Sequence, residues 1–166
     1  PIIYQRLGVL YGERREYEKS VLTLSKAITL DPSNARSYLN RGVSYALTEQ
    51  HQPAVNDFRA ALSHGLPAAD EQRARQGLSL ELLKLRAYDS CATESALLAR
   101  AFPSAPEGYF YGGTALLNLG RVPEAAAELR KAVEIDPSNG NAWFNLSIAL
   151  VKSGNTAESE QAARAA

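Results

Sequence analysis

The chain has 166 residues, 45% of them hydrophobic and 22% charged, with 18 basic and 18 acidic side chains and a formal net charge of zero. That length supports one domain with a real core. The charge balance excludes the strongly basic surface that draws nucleic acid or an anionic membrane. Its apolar runs fall far short of the ~20 residues needed to cross a bilayer. A single cysteine, Cys91, cannot form an internal disulfide and so identifies no redox compartment. The chain opens on Pro1 and not on Met, which leads to the expectation of a piece of a longer protein.

From the N-terminus, PIIYQRLGVLYGE (1–13) reads as a helix and EYEKSVLTLSKAITL (16–30) as a second. Leu30-Asp31-Pro32-Ser33-Asn34 then stops the chain's helical run, because proline cannot continue a helix and biases its predecessor out of the helical region. Ser or Asn after the proline can cap the next helix. The same turn recurs as IDPSN at 135–139. Between these points EGYFYGGTALLNLG (107–120) and VPEAAAELRKAVEI (122–135) repeat the pairing of two helices. Pro53 and Pro123 fall where a second helix begins, a position that tolerates proline. No alternating pattern of usable length predicts a sheet.

Local offsets set the period. Gly8 and Gly42, Tyr11 and Tyr45, Ala27 and Ala61, and Tyr109 and Trp143 are each 34 residues apart. The two DPSN turns are 105 apart, three periods plus a three-residue insertion at Ala69-Asp70-Glu71. The repeats therefore run 1–34, 35–68, 72–105, 106–139 and 140–166, the last truncated, as a single array. A period of this length predicts an all-α solenoid in which stacking supplies a core that no single repeat can build.

The pattern within each repeat resembles the tetratricopeptide repeat (TPR) family. Repeat one carries Tyr4, Leu7, Gly8, Tyr11, Ser20, Leu24, Ala27 and Pro32 at that family's signature positions. Repeats two, four and five match with departures, notably Arg41, Gly112 and Ala163, and repeat three diverges at Arg75, Ser95 and Leu98. Small residues at positions 8, 20 and 27 let two helices approach closely. The resemblance implies five stacked helix-turn-helix units in a right-handed superhelix. The array ends inside a second helix on EQAARAA without an evident polar cap, so further repeats or another domain are expected to flank it.

Chemistry is hard to build from these residues. His51 and His64 stand apart from any metal-like pair and read as solvated, and Cys91 reads as a buried structural thiol. Gly112-Gly113 follows no strand and lacks the Lys-Ser/Thr pair of a phosphate loop, so helix contact explains it better. Asp70-Glu71 reads as solvated helix-end charge. The expectation is no enzyme, no metal and no cofactor.

What remains is a surface. The family places ligand contacts at positions 2, 5, 6, 9, 12 and 13, on the concave first-helix face. In repeat one these are Ile2, Gln5, Arg6, Val9, Gly12 and Glu13. The candidate partner-binding residues are Arg36, Leu39, Asn40 and Val43 of repeat two and Arg73 and Leu80 of repeat three. Repeats four and five add Phe110, Tyr111, Thr114, Asn141, Phe144, Asn145 and Ile148. Contiguous apolar exposure of this kind marks either an interaction site or a face covered by another part of the chain. Arg36 and Arg73 suit carboxylate recognition, and the amides of Asn40 and Asn145 suit a peptide backbone. The carboxylate clamp that some members of the family use for chaperone tails is not present, since only Asn40 matches it outright.

The expected function is a protein-interaction scaffold holding a peptide or helical segment in its groove, within a larger assembly. The alternatives are a structural spacer that self-associates through uncapped ends and an RNA-binding helical repeat, which the neutral charge disfavours. No membrane insertion is expected, and the compartment stays open between cytoplasm and bacterial periplasm.

Overall fold

The computed structural model describes residues 1–166, which form ten helices and no strand. Five helices, α1 (Ile2–Glu13), α2 (Tyr17–Leu30), α3 (Ala35–Leu47), α4 (His51–Ser63) and α5 (Ala68–Lys84), build a compact unit over Pro1–Leu85. The other five, α6 (Tyr88–Ala101), α7 (Pro106–Asn118), α8 (Val122–Ile135), α9 (Gly140–Lys152) and α10 (Thr156–Ala165), build a second over Arg86–Ala166. The boundary falls between the two helices of repeat three.

The period is visible in the helix starts. Second helices begin at Tyr17, Tyr88, Val122 and Thr156, with His51 between the first two. Successive intervals are 34 residues, except for 37 between α4 and α6, where the insertion lies. The three extra residues extend α5, which has 17 residues where the other first helices have 12 or 13. The insertion thus lengthens a helix and not a loop. Asp70 and Glu71 stand in its first turn, where negative charge suits the helix dipole.

Both copies of the DPSN turn divide their labour in the same way. Asp31 Oδ1 accepts hydrogen bonds from the Ser33 amide (3.1 Å) and hydroxyl (2.7 Å), and Asp136 does the same with Ser138 at 3.1 and 2.6 Å. The Ser33 hydroxyl, followed by its amide, holds the Asp31 carboxyl below its ordinary value. The asparagine then caps the next helix. Asn34 Oδ1 accepts from the Ser37 amide and Asn139 Oδ1 from the Ala142 amide, both at 3.0 Å.

The turn inside each repeat has its own rule. Residue 15 of every repeat is left-handed: Arg15, Glu49 and Arg86 have φ near 60°, and Gly120 and Gly154 have φ of 76° and 80°. In repeats one, two, four and five the next amide bonds back to the carbonyl of position 11, as Glu16 to Tyr11 and Arg121 to Leu116 at 2.9 Å. This six-to-one bond closes the helix end. The left-handed conformation favours glycine, so three repeats hold it with a side chain at some cost in strain.

Close helix approach builds the core. An added Cβ on Gly8 would lie 2.5 Å from Leu24 Cγ, one on Gly42 3.1 Å from the Phe58 ring, and one on Gly113 2.7 Å from Leu129 Cγ. Position 8 is therefore a socket and position 24 its plug, and all three plugs are fully buried. Phe58 is also seated against Gly77 of α5, whose Cβ would fall 2.6 Å from Phe58 Cζ. Repeat three inverts the sizes. Ser95 takes position 24 and Leu98 position 27, and both are completely buried. The small Ser95 lets Gly112 come close, within 3.2 Å of an added Cβ, and an added Cβ on Gly108 would lie 2.8 Å from the backbone nitrogen of Ala99. The divergence of repeat three and the glycine at 112 are thus two halves of one contact. Cys91, on the same helix, is buried, and burial pushes its thiol up to about 11.

Arg41, the polar departure of repeat two, is a ligand of the fold. Its guanidinium donates to both carboxylate oxygens of Asp57 (2.7 and 2.8 Å) and to Ser25 Oγ (2.9 Å), joining α2, α3 and α4. The rings of Tyr38 and Tyr45 lie 5.7 Å from it. The Asp57 hydrogen bonds raise the Arg41 pKa above its ordinary value.

Gly42→Leu should overpack the α3/α4 contact and cost about 1–3 kcal/mol, read as a lower melting temperature; unchanged melting would argue against this register. Arg41→Leu should leave Asp57 buried and uncompensated, at about 3–5 kcal/mol. The Arg41→Leu/Asp57→Leu double variant should recover much of that loss in urea melts, and a double variant no more stable than the single would show that charge is not the cause.

Candidate interaction site

In the N-terminal unit the first helices adjoin one another, α1 beside α3 and α3 beside α5, while α2 and α4 do not. The first helices therefore share one face. Two depressions open along it. The larger, about 570 Å³, lies among Gln5, Arg6, Val9, Glu13 and Arg36. The smaller, about 320 Å³, shares Val9 and Glu13 and adds Asn40, Val43, Leu47 and Arg73.

Of the residues expected here, Arg36, Asn40, Val43 and Arg73 come together around these depressions. Leu80, half-buried on α5, does not line them. Leu39 corrects the expectation outright. It is 1% exposed, because α3 has first-helix neighbours on both sides, and it belongs to the core.

The two arginines already have a carboxylate. Arg36 Nε lies 2.8 Å from Asp70 Oδ2 and Arg73 Nη1 3.6 Å from Asp70 Oδ1. The insertion thus supplies the carboxylate with which both arginines pair. The guanidiniums are more than half exposed, so the pairs are weak and open to competition. Glu71 is likewise engaged, 2.9 Å from Arg75. Asn40 donates from Nδ2 to the Arg36 carbonyl at 2.8 Å, within its own helix.

In the C-terminal unit α7 adjoins α9. Asn145 Nδ2 donates to Thr114 Oγ1 at 2.9 Å, and Thr114 donates to the Phe110 carbonyl at 2.7 Å, a polar ladder across the two helices. Phe110 and Tyr111 pack ring to ring at 5.4 Å. Phe110 and Ile148 also pack against the unit's core, so each is only partly available. Phe144 is 57% exposed, and Asn141, one turn before it on α9, is exposed as well.

His64 is exposed, as expected, but His51 is not simply solvated. His51 Nδ1 lies 2.6 Å from Glu81 Oε2, Lys84 Nζ lies 2.8 Å from Glu81 Oε1, and Glu81 is 1% exposed. This cluster ties the start of α4 to the end of α5. His64 stacks on Tyr38 at 5.4 Å. Sequence reading missed both, since the partners are 30 and 26 residues distant and no local pattern marks them. No helix is long and apolar enough to cross a membrane.

Models of the tetratricopeptide repeat match residues 76–140 and 113–166, and another matches 35–63. A further model, described as a TPR repeat, matches 8–48. The chain belongs to the tetratricopeptide repeat family. A Drosophila melanogaster protein described as a BBSome complex member BBS4 homolog is 25% identical over 150 residues, 90% of this chain and 30% of that protein. The chain thus spans less than a third of that relative. Two solved structures show the same fold. The TPR protein YrrB, described as having an unusual peptide-binding site, has a TM-score of 0.86 at 23% identity over 98% of this chain and 82% of its own. MamA from Desulfovibrio magneticus RS-1 has a TM-score of 0.86 at 18% identity over 96% of this chain and 89% of its own. Family membership supports a protein-interaction scaffold.

Proposed function

We propose that this TPR chain binds a peptide or helical segment of a protein partner on its first-helix faces, as one component of a larger assembly and without catalysing a reaction. The observation that carries this reading is the pair of adjoining depressions along α1, α3 and α5, rimmed by Arg36 and Arg73 around Asp70. A ligand carboxylate displacing Asp70 would gain two guanidiniums for the loss of two exposed ion pairs. Val9, Val43 and Leu47 supply apolar surface beside them. In the C-terminal unit, exposed Phe144 is an aromatic anchor of the kind enriched at interface hot spots. Membership of the fly relative in a protein complex favours the assembly role for this chain.

A self-associating spacer is favoured by one observation. Ile3, Leu7 and Leu10 on α1 are 80%, 37% and 41% exposed, whereas Ala142, Leu146 and Ala149 at the same positions of repeat five are 0–2% exposed. That outer face of α1 is shaped for a neighbouring helix.

Capture from native lysate should retain a partner on the wild-type chain and lose it on Val43→Glu/Arg73→Glu or on Phe144→Glu, with helicity confirmed by circular dichroism. Equal retention by all three would remove the first-helix faces from the function. Light scattering should give a constant monomer mass across concentration; a mass that rises, and falls back in Leu7→Glu/Leu10→Glu, would favour the spacer.

A further inference from the structure

The second helices leave three comparable clefts within the two units, each floored by a first helix, and they differ in what fills the floor and what bridges the walls. Between α2 and α4 the floor at position 7 is Arg41, which fills the gap and binds both walls through Ser25 and Asp57. Between α8 and α10 the same position is Leu146, Trp143 lies beside it, and Arg130 crosses to Glu158 with two hydrogen bonds of 2.9 Å. About 300 Å³ remains there. Between α6 and α8 position 7 is Gly112, which puts no side chain into the gap, and the ion pair at Arg121 and Glu124 stays within one wall. The cleft that results has a volume of about 450 Å³.

Its chemistry is uneven from floor to rim. The floor is the backbone at Gly108 and Gly112 with Leu116, and the walls are Ala92 and Ala96 of α6 and Ala127 of α8. The rim carries Asp89 on one wall and Glu124 and Glu128 on the other. Arg121, which also lines the cleft, forms an ion pair with Glu124, while Asp89 and Glu128 line it from opposite walls without an ion pair of their own, so the rim carries three carboxylates and one guanidinium. Two like charges across an apolar slot repel each other and are relieved by a cation placed between them.

We propose that this second-helix cleft is a separate docking site for a protein segment that inserts a large apolar side chain over Gly112, flanked by lysine or arginine paired with Asp89 and Glu128. The missing leucine at position 7 makes room for the anchor, and the excess of carboxylates at the rim selects the flanks. Gly112 is therefore both a helix contact, through Ser95, and the opening of a site.

The test uses the full chain and two blocked peptides, each with two central leucines, one flanked by lysines and one by glutamates. Fluorescence polarisation should show saturable binding of the lysine peptide, and amide chemical-shift changes should fall on α6 and α8. Binding should weaken about ten-fold or more in Ala96→Leu/Ala127→Leu, which plugs the slot from two exposed positions. Asp89→Lys/Glu128→Lys should reverse the preference toward the glutamate peptide. Phe144→Glu should leave lysine-peptide binding intact, so loss of the first-helix reading and loss of this one are separable. No saturable binding, equal binding of both peptides to the wild type, or binding indifferent to the plug would each overturn the proposal.

Discussion

The glycine-to-bulk contact between positions 8 and 24 is the constraint on which the rest depends. With no side chain at Gly8, Gly42 or Gly113, a first helix lies close enough to its partner for Leu24, Phe58 or Leu129 to be buried completely. That approach sets the separation of each pair and hence the angle at which the next first helix arrives. A single repeat encloses little core by itself, so the same plug must also meet its successor, as Phe58 does at Gly77. The apolar energy is therefore shared between neighbours and not held inside any one repeat.

Departures from the pattern are where this chain becomes individual. Arg41 stands where leucine is usual and brings Asp57 inside with it. Such a pair adds little stability over apolar packing, but it enforces one arrangement, because a shifted helix would strand a buried charge. Ser95 and Gly112 keep α6 against α7 with small residues on both sides and leave a slot above. The three-residue insertion adds a turn to α5 and places Asp70 within reach of two arginines, Arg36 and Arg73. Each departure has its compensating partner in another helix.

The fold and the position of the candidate faces were legible in the sequence because both follow from a period. The 34-residue spacing, the DPSN turns and the small residues at 8, 20 and 27 are local signals repeated until chance is excluded, and the asparagine caps follow from them. The left-handed residue at position 15 was not read from the sequence, because glycine marks it only at Gly120 and Gly154 while Arg15, Glu49 and Arg86 hide it in the other repeats. What was not legible was pairing. Leu39 looked like a groove residue by position, yet first-helix neighbours on both sides bury it. Asp70 read as solvated charge, although helix extension carries it to Arg36, 34 residues away.

The sequence by itself determined the helices, their order and the faces they present, because helical periodicity and turn chemistry act over a few residues. Only the tertiary structure decided which side chains remain available. Burial, and the capture of one charge by another, depend on groups 16 to 34 residues apart, such as Arg41 with Asp57 and Arg36 with Asp70, which meet only once the helices have packed.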